Sequence, residues 1–157
     1  METMFQAFLK QEIILSEHYV AVKISDEILD KPLSKFSKKA ESDIKVIIGT
    51  ASGDFHGLGK KIVSGTLKAN MIEVIDLGLN VKAEKFVDEA VKQKANIIGI
   101  SSMMVHTALG ENGPMKAREI LNERGIDHIK LIVGGAPYKF DETLYIKAGA
   151  DDWAASG

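Results

Sequence analysis

Four short apolar runs mark the second part of the chain, at residues 44–49, 72–77, 96–101 and 129–133. They are rich in Ile and Val and show little polar alternation. That is the pattern of strands buried on both faces of a parallel sheet. Between them the period changes. Phe86, Val87, Ala90 and Val91 fall on one helical stripe, and Ala117, Ile120 and Leu121 on another. Gly125 and Gly149 stand where helices should stop. A short fifth strand is expected at Asp152–Ala154. Five strands joined by four helices predict an α/β doubly wound domain, flavodoxin-like, with strand order 2-1-3-4-5.

Ahead of this domain the pattern is helical only. Val20, Ile24 and Ile28 recur every four residues and share one face, with Ser16 as N-cap. Phe5, Phe8 and Leu9 mark a shorter helix before them. Residues 31–43 are polar and basic, and Pro32 ends any helix that precedes it. The chain therefore divides into a helical arm at 1–30, a linker at 31–43 and a sheet domain at 44–157. Two short helices cannot enclose a core, so the arm's apolar residues need a partner surface.

Length and composition narrow the classes. A chain of 157 residues is about one domain's worth, and 45% hydrophobic with 27% charged residues is an ordinary globular balance. The formal charge of −2 lacks the basic footprint of a nucleic-acid binder. The absence of cysteine excludes disulfides, thiolate catalysis and Cys-ligated zinc, and fits a reducing cytoplasm. The opening Met1-Glu2-Thr3 has no basic region ahead of an apolar core, so no signal peptide is expected. No apolar run approaches the ~18 residues of a membrane span. The expectation is a cytoplasmic protein whose partners are neither nucleic acid nor membrane.

In a sheet of this kind ligands bind beyond the carboxyl ends of the strands, at the switch point between the first and third. The first loop there runs Thr50-Ala51-Ser52-Gly53-Asp54-Phe55-His56-Gly57-Leu58-Gly59, and the third Ser101-Ser102-Met103-Met104-Val105-His106-Thr107. The fourth strand ends in Gly134-Gly135-Ala136-Pro137, and the fifth in Trp153-Ala154-Ala155. Small residues crowd this edge and permit a large ligand to approach the backbone. A P-loop fails, because Gly53 is one residue too far from Gly59-Lys60 and Lys61 replaces the hydroxyl. A Rossmann fingerprint beginning at Gly57 fails at Ile62, and a phosphorelay lacks a second acid beside Asp54. The unusual feature left is Asp54-x-His56. Its bland reading is a helix-capping Asp and an ordinary loop His. Its functional reading is a metal ligand oriented by a carboxylate on its other nitrogen. His18, His106 and His128 offer no metal spacing. One protein histidine suffices only for a metal that brings most of its ligands in a cofactor.

Asp54-x-His56-x-x-Gly59 resembles the DxHxxG motif of cobalamin-binding domains, and most resembles the corrinoid proteins of methyltransferase systems. The likeness continues through Glu73–Gly78, Gly99-Ile100-Ser101, Val133-Gly134-Gly135-Ala136-Pro137 and Gly149-Ala150-Asp151. The resemblance implies a flavodoxin-like fold and cobalamin bound with its own base displaced. His56 becomes the lower cobalt ligand, Asp54 binds its other nitrogen, and Thr107, six residues after Ser101, completes a proton relay. Ser101 meets the displaced nucleotide tail, and Gly134 and Gly135 leave a channel for it. Phe55, Gly57, Leu58, Gly59, Met103, Val105 and Ala154 complete the implied cofactor-binding set in the sheet domain. Val105 departs from the Thr common there and cannot donate. For Ser101 and Ser102 the bland reading is helix N-capping; for Met103 and Met104 it is core packing of at least one. Residues 8–33 look like the second half of a helical cap over the cofactor's upper face, with Phe8 and Leu15 as the shield of the methyl group. His18 replaces an apolar residue there, and the first half of the cap has no counterpart.

The function so implied is that of a corrinoid carrier, cycling between methylcobalamin and cob(I)alamin. One partner methyltransferase subunit would deliver the methyl group and another would remove it. Two other classes use such a domain: the small subunit of an adenosylcobalamin mutase, and a non-catalytic B12 store or sensor. The cap-like arm and the Gly-Gly-Ala-Pro ending favour the carrier, and no DNA-binding segment supports a sensor. With half a cap per chain, the arm is expected to form a homodimer through residues 5–30. A methyltransferase surface is the alternative cover.

Overall fold

The computed structural model describes residues 43–154. The helical arm, the linker up to residue 42, Phe8, Leu15 and Ala155 lie outside the described residues. Within them, five parallel strands form one sheet in the expected order β2-β1-β3-β4-β5. The strands are β1 (Lys45–Thr50), β2 (Glu73–Asp76), β3 (Ile97–Ser101), β4 (Lys130–Gly134) and β5 (Asp152–Ala154). The central strands carry Ile47, Ile98, Ile100, Leu131 and Val133, all buried. Burying each such side chain contributes roughly 1.5–3 kcal/mol.

The four connections hold six helices rather than four. α1 (Leu58–Ala69) and α2 (Ala83–Gln93) are single helices. The β3–β4 connection breaks into α3 (Val105–Ala108) and α4 (Pro114–Glu123). Pro114 can begin a helix but cannot continue one. The β4–β5 connection breaks into α5 (Ala136–Phe140) and α6 (Leu144–Lys147). There the Asp141 carboxylate accepts the Thr143 amide at 3.0 Å and its hydroxyl at 2.6 Å, an Asp turn that competes with helix. Gly125 and Gly149 follow α4 and α6 with positive φ, as expected of helix ends. Phe86, Val87 and Ala90 of α2 are buried, but Val91 is 48% exposed. At 100° per residue it lies at the edge of that stripe, and the sheet does not reach it. Among the described residues, no helix is long and apolar enough to cross a membrane.

Register matters for the site. Thr50 pairs with Ser101, Ser101 with Gly134, and Gly134 with Ala154. The carboxyl ends of β1, β3, β4 and β5 thus form one row of small residues across the sheet edge.

Candidate functional site

The loop after β1 is held from both sides. Thr50 Oγ1 donates to the Asp54 carbonyl at 2.6 Å. From the β2–α2 loop, the Asn80 amide donates to Thr50 Oγ1 at 2.9 Å and to the same Asp54 carbonyl at 3.0 Å. Asn80 Oδ1 accepts the Gly53 amide at 2.8 Å. Asn80 itself has φ 52°, a left-handed conformation that Asn adopts more readily than most residues.

So fixed, the fully buried Asp54 carboxylate is met on both oxygens. Oδ1 accepts the His56 amide at 2.9 Å and lies 2.9 Å from His56 Nδ1. Oδ2 accepts the Met103 amide at 2.5 Å and stands 3.2 Å from Thr107 Oγ1. The single Thr107 hydroxyl hydrogen has a second acceptor, the Met104 carbonyl at 2.8 Å. Burial by itself would raise the Asp54 carboxyl. The Met103 and His56 amides and the His56 ring together outweigh it and hold the group below the usual carboxylate range. An ionised carboxylate only accepts, so Nδ1 is the donor, and the lone pair of the neutral imidazole is then on Nε2. The imidazole is half-exposed, so that nitrogen is available to a ligand.

Beside His56 lies a cavity of about 300 Å³ between α1 and the sheet. Gly59, Lys60 and Val63 of α1 form one wall; Ile48, Gly99, Ile132 and Gly134 are among the strand residues opposite. Gly135 has φ 119°, and a Cβ there would sit 1.9 Å from the Ser102 carbonyl oxygen, so no side chain fits. Gly59 differs: a Cβ built on it meets nothing within 4 Å. Among the described residues, no contact requires a glycine at that point of α1.

Of the sequence-predicted residues, Asp54, His56 and Thr107 meet as one hydrogen-bonded unit. Gly59, Ser101, Met103, Gly134, Gly135 and Ala154 line the cavity with His56. Phe55, Gly57, Leu58 and Val105 do not; Phe55 and Val105 are exposed on the surrounding loops. Asp54 does not cap α1, whose N-cap is Gly57. Neither Ser101 nor Ser102 caps α3, whose N-cap is Met104. Met103 is exposed and Met104 only partly buried, so neither packs in the core, because the loop runs over the sheet's edge rather than its face.

Four residues of the site carry no signature in the sequence: Thr50, Asn80, Lys60 and Lys139. Lys60 is buried, with Nζ 2.5 Å from each Asp76 oxygen. Lys139 of α5 lines the cavity from the other side. Ser102 Oγ and Tyr138 Oη are buried and have no hydrogen-bond partner among the described residues. Burial pushes the Tyr138 phenol up to about 12, although the Ser102 hydroxyl beside it pulls the other way.

A family described as "B12 binding domain" matches residues 44–156. Among curated proteins, the chain is 35% identical over 136 residues to a corrinoid protein of Desulfitobacterium hafniense, covering 85% of this chain and 61% of that protein. It is 37% identical over 137 residues to trimethylamine corrinoid protein 2 of Methanosarcina acetivorans, covering 87% and 61%. The chain thus spans about three fifths of the length of these relatives. Among solved structures, it resembles the Methanosarcina barkeri monomethylamine corrinoid protein with a TM-score of 0.81 at 27% identity, over 99% of this chain and 72% of that one.

Proposed function

The chain belongs to the B12-binding domain family, and from that premise we propose that it is a corrinoid carrier for methyl transfer. His56 would ligate cobalt from below in place of the cofactor's own base, and partner methyltransferases would load and unload the methyl group. The observation that carries this reading is the Asp54–His56–Thr107 unit at the mouth of an apolar cavity.

The residues present fit the group. Nε2 of His56 has no hydrogen-bond partner among the described residues and lies on a half-exposed ring, while Nδ1 is committed to Asp54. The row Ser101, Gly134 and Ala154 leaves room for a flat base beside it. The open space over Gly59 is what a ligand would fill. Cobalamin, when bound, supplies a cobalt centre that accepts and releases a methyl group. The chain's part is to orient and tune the ligand. Asp54 steadies the His56 ring and fixes which nitrogen faces the cavity. Thr107 can turn its hydrogen between Asp54 and the Met104 carbonyl, so the carboxylate can accept or lose one bond without moving.

The carrier reading is favoured over a mutase subunit by relatives whose names are those of methylamine corrinoid proteins. It includes a methylcobalamin/cob(I)alamin cycle, a cytoplasmic location and a homodimer through the arm. The test is the visible and electron paramagnetic resonance spectrum of the Co(II) holoprotein with ¹⁵N-labelled histidine. Nitrogen coupling is expected in the natural protein and its loss in His56→Ala, with cobalamin still bound base-off. Coupling that persists in the variant overturns the ligand assignment.

A further inference from the structure

We propose that Lys139 reads the anionic phosphodiester of the cofactor's nucleotide tail, so that the cavity prefers complete corrinoids to tail-less ones. This inference rests on the corrinoid reading above. Its starting point is the charge of the cavity wall. Among the described residues, His56, Lys60 and Lys139 are the titratable ones that line it, and no carboxylate does. The two lysines are not equivalent. Lys60 Nζ sits against both oxygens of Asp76, which itself accepts the Gly78 amide at 2.8 Å, so that charge is already answered. Lys139 makes no ion pair or side-chain hydrogen bond among the described residues. Its backbone is nonetheless well held, because it follows buried Pro137 and Tyr138, and the Asp141 amide closes on the Pro137 carbonyl at 3.0 Å.

The rest of the wall is apolar or glycine, with Ile48, Val63 and Ile132 prominent. The complementary ligand has a flat apolar body and one negative charge toward α5. Lys139 is exposed at the rim, where water solvates its ammonium until an anion replaces it; an uncharged body alone would make no use of that charge, and a small anion alone would leave the apolar wall unfilled. The nucleotide tail of a cobalamin has both parts, an aromatic base and a phosphodiester. A tail-less cobinamide has neither.

Equilibrium binding of aquacobalamin and of diaquacobinamide, followed by Trp153 fluorescence and by ultrafiltration, tests the idea on the full chain. Lys139→Met is expected to weaken cobalamin binding about three- to tenfold, the scale of one charge-assisted contact, with cobinamide affinity held within about twofold. Lys139→Arg should keep the cobalamin preference. Raising salt should erode the preference in the natural protein and not in Lys139→Met. Equal effects on both ligands, or none on either, overturn the proposal. Inorganic phosphate alone should give no saturable heat by calorimetry. A saturable, Lys139-dependent phosphate site would overturn tail recognition in favour of a free-anion site. If the natural protein binds neither corrinoid, the corrinoid reading falls and this inference with it. If it binds cobalamin and Lys139→Met is indistinguishable, only the inference falls.

Discussion

At the scale of single residues, Asp54 is the connection on which the site depends. One buried carboxylate joins its own loop, through His56, to the loop after β3, through Met103 and Thr107. Its pKa is depressed, so its contribution to stability is fully present above the unfolded value of ~3.9 and is lost as pH falls through the lower folded value. Asp54→Asn should cost about 1–3 kcal/mol near neutral pH, because the new NH₂ group meets donors and leaves amides unpaired. Below pH ~4 the gap to the natural protein should narrow. Urea unfolding of both forms across that range measures it. A constant gap would mean that the charge of Asp54 is not what the fold uses. The motif residues were legible because Asp and His two apart in a glycine-rich loop are unusual. Asn80 and Lys60 were not, because their partners are 27 and 16 residues away in sequence and only the folded sheet edge brings them together.

At the scale of elements, the strands were legible to within one residue, since both faces of the sheet demand apolar side chains and leave an uninterrupted signature. The helices were legible in number of connections but not in continuity. Asp141 and Pro114 break them through local hydrogen bonding and ring geometry, which apolar periodicity does not record. α1 shows a conflict between element and site. A glycine in a helix costs up to ~1 kcal/mol relative to Ala, yet no neighbour of Gly59 among the described residues requires it. Gly59→Ala should therefore leave the apoprotein as stable or stabilise it by up to ~1 kcal/mol. Gly59→Leu should also fold, since the cavity has room, but should project into the space assigned to the tail and weaken cobalamin binding by at least about tenfold. Thermal melts of the apoproteins beside cobalamin titrations check the two halves separately. Unchanged affinity in Gly59→Leu would remove α1 from the ligand's path.

At the scale of the whole molecule, the unresolved demand is the one the arm makes. The sheet domain has a core of its own, in which Phe86, Ile98, Leu121 and Leu131 are fully buried. The apolar positions Phe5, Phe8, Val20, Ile24 and Ile28 need a partner surface, because two short helices cannot enclose a core of their own. Each Ile or Phe covered is worth roughly 1.5–3 kcal/mol. Five per chain would exceed an association cost on the order of 4–15 kcal/mol if two arms meet in an isologous contact. The chain should accordingly sediment as a dimer at micromolar concentration, and a version beginning at residue 40 as a folded monomer. The truncated form should keep His56-dependent cobalamin binding, because every residue assigned to the lower face lies after residue 43. Its bound methyl group should be lost faster to solvent and light if Phe8 and Leu15 shield it. If the intact chain is monomeric alone but forms a stable complex with a methyltransferase, the arm is that partner's docking surface, and the homodimer is wrong. If both forms are monomers and the arm changes neither partner binding nor methyl lifetime, its apolar pattern serves neither purpose.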